Sequence, residues 1–95
     1  MHTDWEISHA IVEAIERAFG IMDLQSKTRT KRVADARQLA YFLMREHTKM
    51  SYPDIALMFD RDHATVFKGV KVVQGKGIIN LKSRIMHDVE IILGG

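Results

Sequence analysis

Met50-Ser-Tyr-Pro-Asp-Ile-Ala-Leu-Met-Phe-Asp-Arg-Asp-His-Ala-Thr-Val-Phe-Lys-Gly-Val-Lys71 carries the signals for two short helices and the turn between them. Ser51 followed three residues later by Asp54 is a capping box, and Pro53 falls in the first turn, where its missing N–H costs little. This helix is expected to run to about Phe59, with Ile55, Met58 and Phe59 toward a core. Asp60-Arg61 then makes a tight turn, and Asp62 or Asp60 caps a second helix that opens with His63, Ala64 and Thr65. Val66, Val70 and Val73 supply its apolar line. Two short helices joined by a few polar residues read as a helix-turn-helix, in which the start of the second helix enters the major groove of DNA. Arg61-Asp62-His63-Ala64-Thr65 takes that position, and its mixture of donors and acceptors suits base reading. Asp62 also has a plainer reading, as a helix cap alone.

Upstream of this pair, Val33 to about His47 reads as the longest, central helix. Val33, Ala36, Leu39, Ala40, Leu43 and Met44 face inward, and Tyr41 and Phe42 broaden the apolar arc toward a second neighbour. Arg37 and Arg45 stand eight residues apart, roughly two turns, so they share one side and are expected to straddle a phosphate strand. Before this helix, Ser26–Arg32 alternates hydroxyls with cations and lacks apolar periodicity. It reads as a basic loop of phosphate-contact residue types, and an arginine on such an arm can enter a minor groove. Residues 26–49 carry seven Lys and Arg against two acids, a net +5, whereas residues 1–25 carry one against five, a net −4. A basic sector beside an acidic one points to an oriented anionic partner, nucleic acid first.

The ends of the chain add two more helices. Thr3 with Glu6 fits a capping box, Ile7, Ile11, Ala14, Ile15 and Ala18 follow on one face, and Gly20 is a stop. Trp5 is expected at the core or its edge, and Met22-Asp23-Leu24 in a short turn. At the other end Gln74-Gly75-Lys76-Gly77 closes the second helix of the motif. Ile78, Leu81, Ile85, Val89 and Ile92 then trace one face of a closing helix, with Asn80 as its candidate cap. Lys82, Arg84, His87 and Asp88 are expected to face water, and Gly94-Gly95 to fray. No strand pattern competes, so the fold class is all-α: a small helical bundle containing a helix-turn-helix.

Ninety-five residues, 46% of them hydrophobic, suit one globular domain over 1–95. The absence of cysteine removes disulfides and thiolate metal sites. The five histidines are scattered, with no H-E-x-x-H and no nucleophile paired to a base, so no catalytic, metal or cofactor site is expected. No apolar run approaches the roughly 20 residues that cross a bilayer, and the first residues lack a signal-peptide layout. A cytoplasmic monomer, nucleoid-associated when bound, is the expectation.

Three stretches together resemble a known family: Ser26-Lys-Thr-Arg-Thr-Lys-Arg-Val-Ala-Asp-Ala-Arg-Gln-Leu-Ala40, Ser51-Tyr-Pro-Asp-Ile55, and Phe59-Asp-Arg-Asp-His-Ala-Thr-Val66. They are similar to the C-terminal DNA-binding domain, domain IV, of the bacterial replication initiator DnaA, over about Ile7 to Leu93. The resemblance implies a helical bundle that binds double-stranded initiator boxes. It implies base reading by Asp62, His63 and Ala64, and a minor-groove role for Arg29. It puts Arg37, Gln38, Arg45, Pro53 and Thr65 near the sugar-phosphate backbone. Lys27, Lys31, Arg61 and Lys68 are further cations expected at that backbone.

The chain departs from the family pattern in places. Ala64 stands for a threonine and keeps only the methyl, which can still touch a thymine methyl. Phe59-Asp60-Arg61 is one residue shorter than a Phe-Gly-Gly-Arg turn and has no glycine, a change that can rotate or shift the reading helix. Lys68 replaces a histidine and adds a cation at the groove edge. There is no G-x-x-x-x-G-K-[ST] and no room for a nucleotide fold, so no ATP-driven melting of an origin is expected of this chain by itself. Its Met start and lack of a tag favour a stand-alone DNA reader over an excised domain. The alternatives are a transcription regulator or mobile-element DNA reader on the same fold, or an interaction module. Such a module would dock a protein, an initiator for example, through the acidic first helix or the Ile-rich last one.

Overall fold

Each predicted helix forms, and most of the caps are those the sequence indicates. The computed structural model describes residues 1–94, and among them five helices and no strand: α1 (Asp4–Phe19), α2 (Lys31–His47), α3 (Tyr52–Phe59), α4 (His63–Gln74) and α5 (Ile79–Ile92). No helix among the described residues is long and apolar enough to cross a membrane. Of the closing Gly94-Gly95 pair, Gly95 lies outside the described residues.

Thr3 and Glu6 close a capping box on α1, and Gly20 ends it in the left-handed conformation at φ 64°. Ser51 and Asp54 do the same at the start of α3, with Pro53 in its first turn. Helix α2 starts two residues earlier than expected, because the Thr30 hydroxyl accepts the Val33 N–H and caps it there. Lys31 and Arg32 are therefore helical and not part of the loop. Helix α5 has no side-chain cap, and Asn80 lies inside its first turn, which corrects the cap expected there.

The turn between α3 and α4 is closed without glycine. Asp60 takes the left-handed conformation at φ 52°, the one non-glycine residue with positive φ among those described. Its N–H reaches the Leu57 carbonyl at 3.2 Å, and the Arg61 N–H reaches the Ala56 carbonyl at 2.9 Å. These two bonds satisfy the last carbonyls of α3 as a Schellman motif does. Asp62 then caps α4, its Oδ1 accepting the Ala64 N–H at 2.8 Å.

Helix α2 is the middle of the bundle. It packs against α1 and α4, α3 packs on α4, and α5 lies on α1. The core includes Ile11, Ile15, Leu43, Met44, Ile55, Val66, Ile85 and Val89, all essentially inaccessible. Tyr41 is buried and meets Phe59 edge-on at 5.0 Å. Gly69 lets α4 come close: a Cβ there would sit 2.9 Å from Tyr41 Cδ2 and 3.1 Å from Gln38 Cγ.

Three surface expectations are corrected. Trp5 is 54% exposed and stacks edge-on against His9 in place of entering the core. Ala18 is exposed too, because the covered face of α1 runs through Ala10, Ile11, Ala14 and Ile15. Lys82 is half-buried; its ammonium lies 4.8 Å over the Phe42 ring and pairs with Glu46 at 3.2 Å.

Candidate nucleic-acid interface

The amino-terminal tip of α4 presents a polar surface because its helical period separates two faces. Val66, Gly69, Val70 and Val73 are buried, so Asp62, His63, Ala64, Thr65 and Lys68 are left exposed. The Asp62 cap bond uses Oδ1, which leaves Oδ2 free of the cap, so capping and base contact are compatible. His63 Nδ1 lies 3.8 Å from Asp62 Oδ1, and both side chains are open to solvent.

The basic loop folds against this tip. It begins with a turn in which the Ser26 N–H reaches the Asp23 carbonyl at 3.2 Å. Leu24 is fully buried, its N–H held by Glu16 at 2.8 Å, and the Gln25 amide donates to the Met58 carbonyl at 2.7 Å. Lys27, Thr28, Arg29 and Thr30 follow, all exposed. The Lys27 ammonium lies 3.8 Å from Asp60, which sets the loop beside the turn that leads into α4. Lys31 pairs with Asp35 one turn on, at 3.1 Å, on an exposed face.

Gln38, Arg61 and Thr65 come together at one small pocket of about 150 Å³, which Ala34, Arg37 and Tyr41 complete. Guanidinium, amide and hydroxyl donors around a small opening suit an anionic oxygen. Burial pushes the Tyr41 phenol above its ordinary range, so it stays protonated there.

On the other flank of α4 the cations are braced by aromatic rings. Thr65 and Phe67 straddle the buried Val66, so they lie on opposite sides of the helix. The Arg45 guanidinium stacks 4.5 Å over Tyr52 and donates to the Met50 carbonyl at 2.6 Å. Tyr52 meets Phe67 edge-on at 5.3 Å, and Lys71 lies 5.3 Å over Phe67. Pro53, exposed, follows Tyr52 in the first turn of α3. Cationic groups thus border the tip of α4 on both sides.

Arg37 is the site residue that the structure relocates. Spacing put it beside Arg45 on one outward face, yet it is only 5% exposed. Its Nε donates to the Leu24 carbonyl at 2.9 Å, its Nη1 to the Thr28 carbonyl at 2.8 Å, and its Nη2 to the Ser26 carbonyl. Burial, then the neighbouring Arg61 charge, lowers its pKa from the ordinary arginine value. The expectation that it faces phosphate is corrected on this geometry.

Four residues at the interface were not singled out by sequence: Tyr41, Tyr52, Phe67 and Lys71. Phe67 and Lys71 carried a signal, since residues four apart on a helix are neighbours. Tyr41 and Tyr52 acquire their place only when helices meet.

The comparisons with known proteins agree with this architecture. A family model described as "Bacterial dnaA protein helix-turn-helix" matches residues 8–73. The chain is 37% identical over 91 residues to the chromosomal replication initiator protein DnaA of Pelobacter propionicus, covering 87% of this chain and 19% of that one. It is 33% identical over 94 residues to the DnaA of Oleidesulfovibrio alaskensis, covering 87% and 20%. With the DnaA of Flavobacterium psychrophilum it shares 51% identity over 51 residues, covering 53% and 11%. The chain thus spans about a fifth of the length of the first two relatives. No solved structure matches it. The match over residues 8–73 takes in the loop, the turn and the exposed tip, and the chain belongs to the bacterial DnaA helix-turn-helix family.

Proposed function

We propose that the chain binds duplex DNA and reads its sequence, as the DNA-reading domain of a replication initiator does. The observation that carries this reading is the exposed polar tip of α4 with the basic loop beside it, Lys27 3.8 Å from Asp60. In this reading His63 and Ala64 enter the major groove with Asp62, whose free oxygen accepts from a cytosine amino group. The Ala64 methyl meets a thymine methyl, and Arg29 enters the adjacent minor groove. A phosphate sits at the Gln38, Arg61 and Thr65 pocket. Arg45 and Pro53 follow the strand on the other flank, Lys68 lies on the exposed crest of α4 one turn after Thr65, and Lys27 and Lys31 follow the strand along the loop. The binding involves no covalent chemistry, and a protein with this role works in the cytoplasm, on the nucleoid.

Magnitudes divide the labour. A good bidentate base contact is worth about 1–3 kcal/mol of discrimination. The cations supply most of the affinity through counterion release, and about five neutralised phosphates give a log–log salt slope near −4 to −5. Selection of bound duplexes from a random pool, followed by titration of the winner across salt, tests both parts. An enriched box and a steep slope are expected; a slope near zero removes the model. His63→Ala should flatten preference between sequences, and equal loss on all duplexes would argue against base reading. Ala64→Thr should move the selected box toward the one the relatives' domain prefers.

A second reading, a protein-docking module, is favoured by one surface. Trp5 and Leu57, 54% and 82% exposed, line an apolar groove of about 400 Å³ with Met50 and Met58, and Asp4 and Asp54 border it. Gel filtration over a range of concentrations beside the duplex titration separates the two. The DNA-reading proposal expects a monomer that shifts only when duplex is added.

A further inference from the structure

We propose that Arg37 is a positioning residue that sets the angle at which Arg29 leaves the basic loop, and is not a phosphate ligand; this rests on the duplex-binding reading above. The basis is the convergence of three alternate carbonyls of one loop, those of Leu24, Ser26 and Thr28, on a single planar fork. A segment with no helical or strand partners has to satisfy its carbonyls elsewhere. Here one buried guanidinium does so for three of them.

The Thr28 carbonyl matters most for Arg29. It belongs to the peptide group that supplies the Arg29 nitrogen, so the bond from Arg37 Nη1 at 2.8 Å pins the backbone immediately before Arg29. Immediately after it, Thr30 is fixed as the cap of α2 by accepting the Val33 N–H. Arg29 thus stands between two anchored neighbours, and its own backbone angles are nearly all the freedom the arm keeps. An arm ordered before it meets DNA loses less entropy on binding.

A point charge does not reproduce this arrangement. The fork offers donors in fixed, coplanar directions, whereas a lysine ammonium reaches the same acceptors only by rotating a flexible stem. Arg37 also lines the small pocket shared with Arg61 and Thr65, so the tie stands beside the start of α4.

The first test needs no variant. Side-chain Nε–H signals of the arginines are followed by NMR as a selected duplex with a flanking A·T tract is added. The Arg37 signal should be protected from exchange in the free protein and stay in place, while those of Arg29 and Arg45 move. An Arg37 signal that exchanges freely, or shifts as far as that of Arg45, overturns the proposal.

The second test is a double-mutant cycle. Arg37→Lys should bind the A·T-flanked duplex roughly tenfold more weakly and the G·C-flanked one with little change, at an unaltered salt slope. Combined with Arg29→Ala it should add almost nothing to the loss from Arg29→Ala alone. A lysine that restores binding, a loss equal on both duplexes, or independent losses that multiply would each sink the idea. If Arg37→Lys fails to fold, the NMR measurement on the unaltered chain decides. A wild-type chain that binds no duplex overturns this inference and the DNA-reading proposal together, whereas one that binds with Arg37 moving overturns only this one.

Discussion

The two ends of α2 carry arginines on the same side and put them to opposite uses. Near its start, Arg37 is covered by the loop and holds three carbonyls of that loop. Near its end, Arg45 is exposed, stacked on Tyr52 and bonded once, to Met50. A spacing of eight residues fixes direction around the helix axis. It does not fix depth, which depends on what the chain lays over each position. The segment before α2 turns back across Arg37, while the connection after α2 runs on to α3 and leaves Arg45 open.

Stability measurements can break this comparison. The largest effect is expected from Arg37→Met, which leaves three carbonyls without their donor: a loss of about 2–4 kcal/mol by urea denaturation. Arg45→Ala should cost under about 1 kcal/mol, the worth of an exposed stack. Equal losses at the two positions would mean that the ends do not differ. Next comes Gly69, which faces the middle of α2. Gly69→Ala gains helix propensity of about 1 kcal/mol, but its methyl would sit 2.9 Å from Tyr41. A net loss of about 1 kcal/mol is expected in thermal melts, and a stabilised variant would show that α4 has room to move.

The turn beside the covered end sharpens the comparison with smaller effects. Asp62→Ala removes the cap of α4 and should cost about 1 kcal/mol by urea denaturation before any DNA is added. No change there would mean that the cap bond at 2.8 Å contributes nothing to the fold. Asp60→Gly relieves a left-handed residue and should gain about 0.5 kcal/mol, at most slightly offset by the lost pairing with Lys27. A loss of stability would show that the exposed pair at 3.8 Å contributes more than its geometry suggests.

Much of the fold was legible because its signals are local. Thr3 with Glu6, Ser51 with Asp54, and Gly20 each mark a helix end within a few residues of sequence. The apolar line of Val66, Val70 and Val73 gave both the buried face of α4 and, by subtraction, the exposed tip. What could not be read was depth and pairing across elements. Trp5 followed the capping pattern of α1 but points away from the covered stripe. Arg37 looked like surface until a loop covered it, and the gathering of Gln38, Arg61 and Thr65 needed α2 and α4 to be docked. The early start of α2 was written in Thr30, whose hydroxyl in an alternating Thr-Arg-Thr-Lys run did not stand out as a cap.

The last helix has a different standing from the rest. The family match stops at residue 73, and α5 rests chiefly on α1, with Lys82 reaching across to Phe42 and Glu46 of α2. It acts as a buttress for the first two helices. Ala64, Lys68 and Lys71 lie on the exposed face of α4, so they can be exchanged without rebuilding the support behind them.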